Sequence, residues 1–248
     1  MRMSQATLAP KVIPLVGKGL VAYWKMGEAN GADRRDSHNR FLLSQAGTVT
    51  QETGKIGNAT GLAAGSSQYL SSTAAGLMVP STAVPEFTLD GFFTLSNKAG
   101  FAFQDIITRW DATGGHQVFQ IQFVSGDDQL KLFHSTTGSN STTTVIDTAP
   151  AEDAWFYLAL RVTATTIDLR YHPAGGSVTD ISTVSAVMLQ NDTTAPLAFG
   201  ARFAGATPSV FWSGLADEVG LWGRYLSDAE LVLRRNGGDG VTYPTFRG

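Results

Sequence analysis

The chain contains no cysteine, which excludes disulfides, thiolate metal centres and a cysteine nucleophile together. Charge is sparse as well: 16% of its 248 residues are charged, with 18 Lys and Arg against 21 Asp and Glu. Without a basic stripe to displace counterions, a nucleic-acid partner is not expected. No apolar run reaches the roughly 18 residues of a membrane span. The first residues, MRMSQATLAPKVIPLVGKG, lack the continuous apolar core of a secretory leader, so the chain is expected to fold where it is made or to have lost a leader. What is present is apolar: 43% of residues are hydrophobic, ample for a core and too many for a disordered chain.

Residues 1–18 read as an arm, with Pro10 and Pro14 opposing helix and Val12, Ile13, Leu15 and Val16 as its apolar contacts. From residue 19 to 248 a single domain is expected. In GLVAYWKM, Leu20, Ala22, Trp24 and Met26 alternate with Val21, Tyr23 and Lys25, the period of a strand. Short strand-like segments follow: QYLSS, FTLDGFFTL, QDIITRW, VFQIQFV, QLKLFHS, WFYLALRVT, TIDLRYH and LAFGARF. Turn sequences such as SGDD, TTGSNS and PAGG separate them, the spacing of an all-β antiparallel sandwich. The STTTV tract reads as a sheet edge or a loop. LSDAELVLRRN is the one clear helix signal. Ser227 with Glu230 makes a capping box, Leu226 with Leu231 a hydrophobic staple, and Arg234 and Arg235 suit the final turn.

Catalytic signatures are missing. The histidines, at 38, 116, 134 and 172, show no zinc-ligand spacing and read as surface or loop residues. No G-x-S-x-G elbow marks a nucleophilic serine, and GSNS and GGDG lack the lysine of a phosphate loop.

Six segments in order resemble the laminin G-like, concanavalin A-like jelly-roll family: GLVAYWKMGEANG…DSHNRF, TGKIGNATGLAAGSSQYLSS, FTLDGFFTL, AWFYLALRV, TIDLRYHPAGG and FWSGLADEVGLWGRYLSDAEL. They cover residues 19–236, and the closing segment is the most specific. The resemblance implies a jelly-roll β-sandwich with one short C-terminal helix. Two departures stand out. The family's Asp-Ser-Ser-Gly-Asn-Gly turn appears here as Asp36-Ser37-His38-Asn39-Arg40 without its glycines, and Ala216 replaces the usual Ile before Asp217.

Three readings of the adjacent acids Asp217 and Glu218 stand. The first is structural, with the carboxylates taken by backbone N–H groups or by a basic residue such as Lys25 or Arg224. In the second, which the resemblance implies, Asp36, Asp217 and Glu28 hold a calcium ion at the sandwich rim, where carboxylates and carbonyls supply oxygens. The third is catalytic, but the E-x-D-x-x-E strand of glucanases with this fold does not occur. Neighbours on a regular strand also point to opposite faces and cannot form a facing pair. Among the tryptophans, Trp24, Trp155, Trp212 and Trp222 fall in strand motifs and read as core. Trp110 ends its strand at the loop DATGGH, and an aromatic ring there is a candidate for ligand stacking or an interface.

The expectation is a non-catalytic recognition or assembly module. The leading form is a bacteriophage virion surface protein, a capsid decoration or tail-associated adhesion subunit. It would be made in the host cytoplasm, with the arm contacting other virion proteins or another copy and the sandwich contacting a cell-surface glycan. The alternative is a secreted bacterial carbohydrate-binding module, placed outside the cell.

Overall fold

A computed structural model describes residues 17–74, 77, 86–139, 141–146, 150–173, 183–185, 189–190 and 192–244. The arm residues Val12, Ile13, Leu15 and Val16 lie outside them. The chain begins with β1 (Leu20–Trp24), β2 (Arg34–Arg35), β3 (Leu42–Ala46), β4 (Thr50–Thr53), β5 (Asn58–Leu62) and β6 (Tyr69–Ser72). It continues through β7 (Phe87–Phe93), β8 (Phe103–Asp111), β9 (His116–Val124), β10 (Gln129–Ser135), β11 (Ser141–Ile146) and β12 (Phe156–Val162). The last strands are β13 (Thr166–Pro173), β14 (Thr183–Ser185), β15 (Leu197–Phe199), β16 (Arg202–Ala204), β17 (Thr207–Ser209) and β18 (Gly214–Trp222), followed by helix α1 (Asp228–Arg235).

These strands form two sheets. The first runs β14-β13-β12-β7-β18-β5-β4, with β1 also on β18; the second runs β11-β10-β9-β8-β15-β6-β3-β2, with the β16–β17 hairpin on β8. Pairing is antiparallel except for the single parallel contact of Phe203 with Asp111. Alternation assigns the faces. In β9, Phe119, Ile121 and Phe123 join the core while Gln120 and Gln122 face outward. In β7, Phe87, Leu89 and Phe93 face inward, leaving Thr88, Asp90 and Phe92 on the outside. Phe87 meets Phe119 across the sandwich at 6.2 Å between ring centroids. No helix of the described residues is long and apolar enough to cross a membrane.

STTTV forms β11 at the end of the second sheet. LAFGARF is not one strand: it divides at Gly200, whose φ is +91°, into β15 and β16. The DSHNR turn survives the loss of its glycines because Asn39 takes the positive φ (+57°), which asparagine tolerates better than most residues. Asp36 fastens that turn by accepting the backbone N–H groups of His38, Arg40 and Phe41 at 2.9, 2.6 and 2.6 Å.

Helix α1 carries both halves of the capping box, and its C-cap Asn236 is left-handed. Leu226 and Leu231 are buried against Tyr23, Phe92, Tyr157 and Trp222 on the outer face of the first sheet. Arg234 was expected to serve the helix dipole in the last turn. It does fall in the last turn, and it is also fully buried, because the helix lays that side against the sheet.

Candidate functional site

On the outer face of the first sheet, α1 covers a set of buried charges. Arg234 makes a two-pronged contact with Asp90, at 3.1 and 3.2 Å, and donates to the carbonyl of Glu218 at 3.0 Å. Its guanidinium lies over the rings of Tyr23 and Trp222, 5.0 and 5.3 Å from their centroids. The hydroxyls of Tyr157 and Tyr23 donate to Asp90 and Glu218. Further along, Arg161 pairs with Asp168 and donates to the Leu226 carbonyl at 2.9 Å. These bonds tie the helix to the strands beneath it.

Asp217 and Glu218 do not obey strand alternation. A bulge falls between Asp217 and Gly220 in the pairing with β7, and Glu218 takes φ +51°. The extra residue turns Glu218 to the same outer face as Asp217, where Tyr23 meets it. Gly220 permits this packing, since a Cβ there would meet the Trp222 ring at 2.2 Å. One of the expected basic partners is also corrected. Arg224 pairs with Glu230 instead, while the charges of Lys25, as expected, and of Arg234 favour the ionised Glu218 carboxyl. Both acids are 0–2% exposed. Burial pushes the Asp217 carboxyl up to about 7 despite the N–H it accepts from Ile56 at 2.8 Å, and raises Glu218 as well.

Beyond the C-terminus of α1 the same outer face opens into a cleft. Lys55, Phe92, Trp155, Tyr157, His172 and Arg235 line it, with Gly237 and Gly238 at the helix end; its cavity volume is about 20 Å³. The β12–β13 register puts Tyr157 beside His172, and the β12–β7 register puts it beside Phe92. Arg235 Nη1 donates to His172 Nδ1 at 3.2 Å. Because a guanidinium cannot accept, this bond makes Nδ1 the unprotonated ring nitrogen. Trp155 lines the cleft, is partly buried, and packs on the Tyr23–Phe92–Tyr157 cluster.

The outer face of the second sheet holds a different arrangement. Asp105 is fully buried; one oxygen accepts the amides of Gln120 and Gln122 at 2.7 and 2.8 Å. The other has no hydrogen bond, with Arg202 Nε 3.7 Å away. Burial lifts this carboxyl to about 7. Phe103, two residues earlier on the same strand, is 49% exposed.

The residues singled out from sequence fare unevenly. Both oxygens of Asp36 are engaged by backbone N–H groups, as given above. Glu28 accepts from the Arg35 N–H at 2.9 Å and lies 3.6 Å from the Arg34 guanidinium. Asp217 is buried and shifted towards its neutral form. Among the described residues no three His, Cys, Asp or Glu side chains come together as a metal site, so these acids do not fit a calcium ion as a set. Trp110 is no loop-edge platform. It is 6% exposed within β8, which runs on through Asp111. There Asp111 Oδ1 accepts the Gly205 N–H at 2.6 Å and the β16–β17 hairpin docks. Trp155, read as core from its strand motif, packs on the second cluster but keeps part of its surface exposed in the cleft. Two histidines expected at the surface, His134 and His172, are buried.

A laminin G-type family model, described as the concanavalin A-like lectin/glucanases superfamily, matches residues 64–232. No curated protein sequence matches the chain. Among solved structures, the fold is similar to the botulinum neurotoxin serotype C1 binding domain (TM-score 0.61, 10% identity), covering 88% of this chain and 52% of that one. Domain 4 of AbnA, a GH43 extracellular arabinanase from Geobacillus stearothermophilus, solved in complex with arabinotriose, matches at TM-score 0.58 and 15% identity, over 86% of this chain and 96% of that one. The binding domain of Paraclostridial Mosquitocidal Protein 1 matches at TM-score 0.58 and 13% identity, over 89% and 53%. The chain thus spans about half the length of the two toxin domains.

Proposed function

Because the chain belongs to the concanavalin A-like lectin/glucanase superfamily, we propose that it is a non-catalytic glycan-recognition module acting outside the cell, with the Trp155 cleft as its contact site. The observation that carries this reading is the partly exposed Trp155 lining one concavity together with polar and cationic side chains. A flat apolar ring with a few placed polar groups is the chemistry that holds a sugar, whose C–H face stacks while its hydroxyls hydrogen-bond. The fold relative solved with arabinotriose supports the same class of ligand. The shielded acids support the non-catalytic part, since a glycosidase needs two carboxylates about 5–10 Å apart flanking a sugar in the open.

The test is a glycan array probed with the full chain, Trp155→Ala, and Arg202→Ala on the other sheet. Binding should disappear in Trp155→Ala and persist in Arg202→Ala. A blank array with the unaltered chain removes the function, and the reverse pattern moves the site to the second sheet. The finer form of this reading is a bacteriophage capsid decoration or tail-associated adhesion subunit anchored by residues 1–18. Deleting residues 1–17 should then leave glycan binding intact and abolish incorporation into particles. Unchanged incorporation would take the anchoring role from the arm, as it would for a secreted carbohydrate-binding module.

A further inference from the structure

We propose that the Trp155 cleft is selective for acidic saccharides, taking a carboxylate- or sulfate-bearing sugar with its anionic group on the cleft floor. This rests on the glycan reading above and names the class of sugar. Lys55 and Arg235 line the cleft from opposite elements, the β4–β5 turn and the last turn of α1. Neither has a carboxylate partner among the described residues. This sets them apart from Arg161, Arg224 and Arg234, which are all paired with acids. The Arg235 side chain donates to a ring nitrogen, His172 Nδ1, and not to a carboxylate, so no negative charge offsets its own.

The acids near the cleft do not cancel these charges. Asp217, opposite Phe92 in the β18–β7 register, is buried with its carboxyl held up to about 7. Asp239 follows Gly238 but is exposed to solvent, where screening weakens its pull. Two cations thus face one exposed acid and one buried carboxyl whose charged form burial disfavours.

Size decides how a ligand fits. A water molecule needs about 10–15 Å³ of such volume, so a cavity of about 20 Å³ admits one small group and not a pyranose ring. The ring therefore stays at the mouth, where Trp155 offers its exposed part, and a single substituent reaches the floor. An anionic substituent there meets the fork of Arg235, suited to planar two-oxygen groups, together with the Lys55 ammonium.

The test uses matched saccharides that differ chiefly in the acidic group: trigalacturonate against trigalactose, sialyllactose against its methyl ester, and lactose 3′-sulfate against lactose. Titration calorimetry on the full chain should show the acidic member of at least one pair binding tenfold or more tightly, with the advantage shrinking as salt is raised. Lys55→Ala/Arg235→Ala should erase that advantage, bringing the acidic member of each pair to the affinity of its neutral partner measured in the same variant. Trp155→Ala should lose both members, and Trp155→Phe, which keeps a ring, should recover part of the binding. Equal affinity within every pair, with Trp155→Ala still abolishing binding, overturns acidic selectivity and leaves the glycan reading standing. No binding by any saccharide overturns both. An acidic preference that survives Lys55→Ala/Arg235→Ala overturns this site, and inorganic sulfate binding as tightly as lactose 3′-sulfate reduces it to a simple anion site.

Discussion

The outer faces of the two sheets handle the same problem, a carboxylate out of water, in opposite ways. On the first sheet, Asp90 receives the guanidinium of Arg234 from the helix laid over it, together with the Tyr157 hydroxyl. On the second, Asp105 accepts two glutamine amides from its own sheet, and its other oxygen has no hydrogen bond, with the Arg202 guanidinium no nearer than 3.7 Å. A full countercharge requires an element to cover the face, which turns that surface into an interior. The two arginines next to each other in α1 show where the cover ends: Arg234 is sealed in, and Arg235 lines the cleft.

The largest expected effect comes from breaking the seal. Arg234→Met leaves Asp90 buried without its partner and should cost about 3–5 kcal/mol, read as a shift in denaturation midpoint. Replacing both partners, as Arg234→Met with Asp90→Leu, should recover much of that loss, because the desolvation of both charges disappears with them. If Arg234→Met alone is neutral, the helix is not held by this pair.

This seal also marks how far the sequence could be read. The capping box, the staple and strands such as VFQIQFV were legible because they are local patterns of period 3.6 or 2. Arg234 was not, because its position in the last turn suits the helix dipole equally well and only the docking of α1 assigns it to Asp90. The bulge at Glu218 was hidden for a similar reason. An extra residue appears only when β18 is paired with β7, and a non-glycine at positive φ leaves no mark in composition. Which tryptophan keeps an exposed part was not legible either, because exposure is set by distant chain. The β16–β17 hairpin closes off the end of β8 after Trp110, and the end of α1, some 80 residues along, completes the cleft around Trp155. Of the candidate site, therefore, the residue types were legible and their grouping was not.

A smaller effect sharpens the contrast between charge-paired and amide-held carboxyls. Asp105 and Asp217 titrate near 7 in the folded protein, against about 4 in an unfolded chain. Between those values the folded state binds more protons, so stability from these groups is fullest below about pH 4 and falls as pH rises towards 7. Asp105→Asn and Asp217→Asn keep an acceptor and remove the charge. Each should stabilise the protein at pH 8 by on the order of 1–3 kcal/mol and do little at pH 4. Equal effects at both pH values would mean that these carboxyls are already ionised in the acidic buffer.

Helix α1 also has an exposed end, where less is at stake. Ser227→Ala removes the acceptor for the Glu230 N–H and should cost about 0.5–2 kcal/mol, without changing saccharide binding at the opposite end of the helix. A loss of binding as large as that in Trp155→Ala would show that the cleft depends on the whole helix and not on its last turn.

The smallest expected effect is none at all, and it concerns the acids at the sandwich rim. Asp36 resembles Asp90 more than Asp105 in one respect: both of its oxygens already have donors, in the backbone N–H groups of His38, Arg40 and Phe41. Glu28, by contrast, has one oxygen on the Arg35 N–H and the other without a hydrogen bond, 3.6 Å from Arg34. Calcium takes 6–8 oxygen ligands at about 2.3–2.6 Å, and to recruit Asp36 it would have to displace the bonds that hold the 36–41 turn closed. An ion bound to the folded state would raise its melting temperature by mass action. Adding a chelator, and then excess calcium, should therefore leave the melting curve of the full chain where it was. A drop with chelator that calcium reverses, and that Asp36→Asn abolishes, would place an ion at that turn. It would also mean that the N–H bonds to Asp36 coexist with metal ligation instead of replacing it.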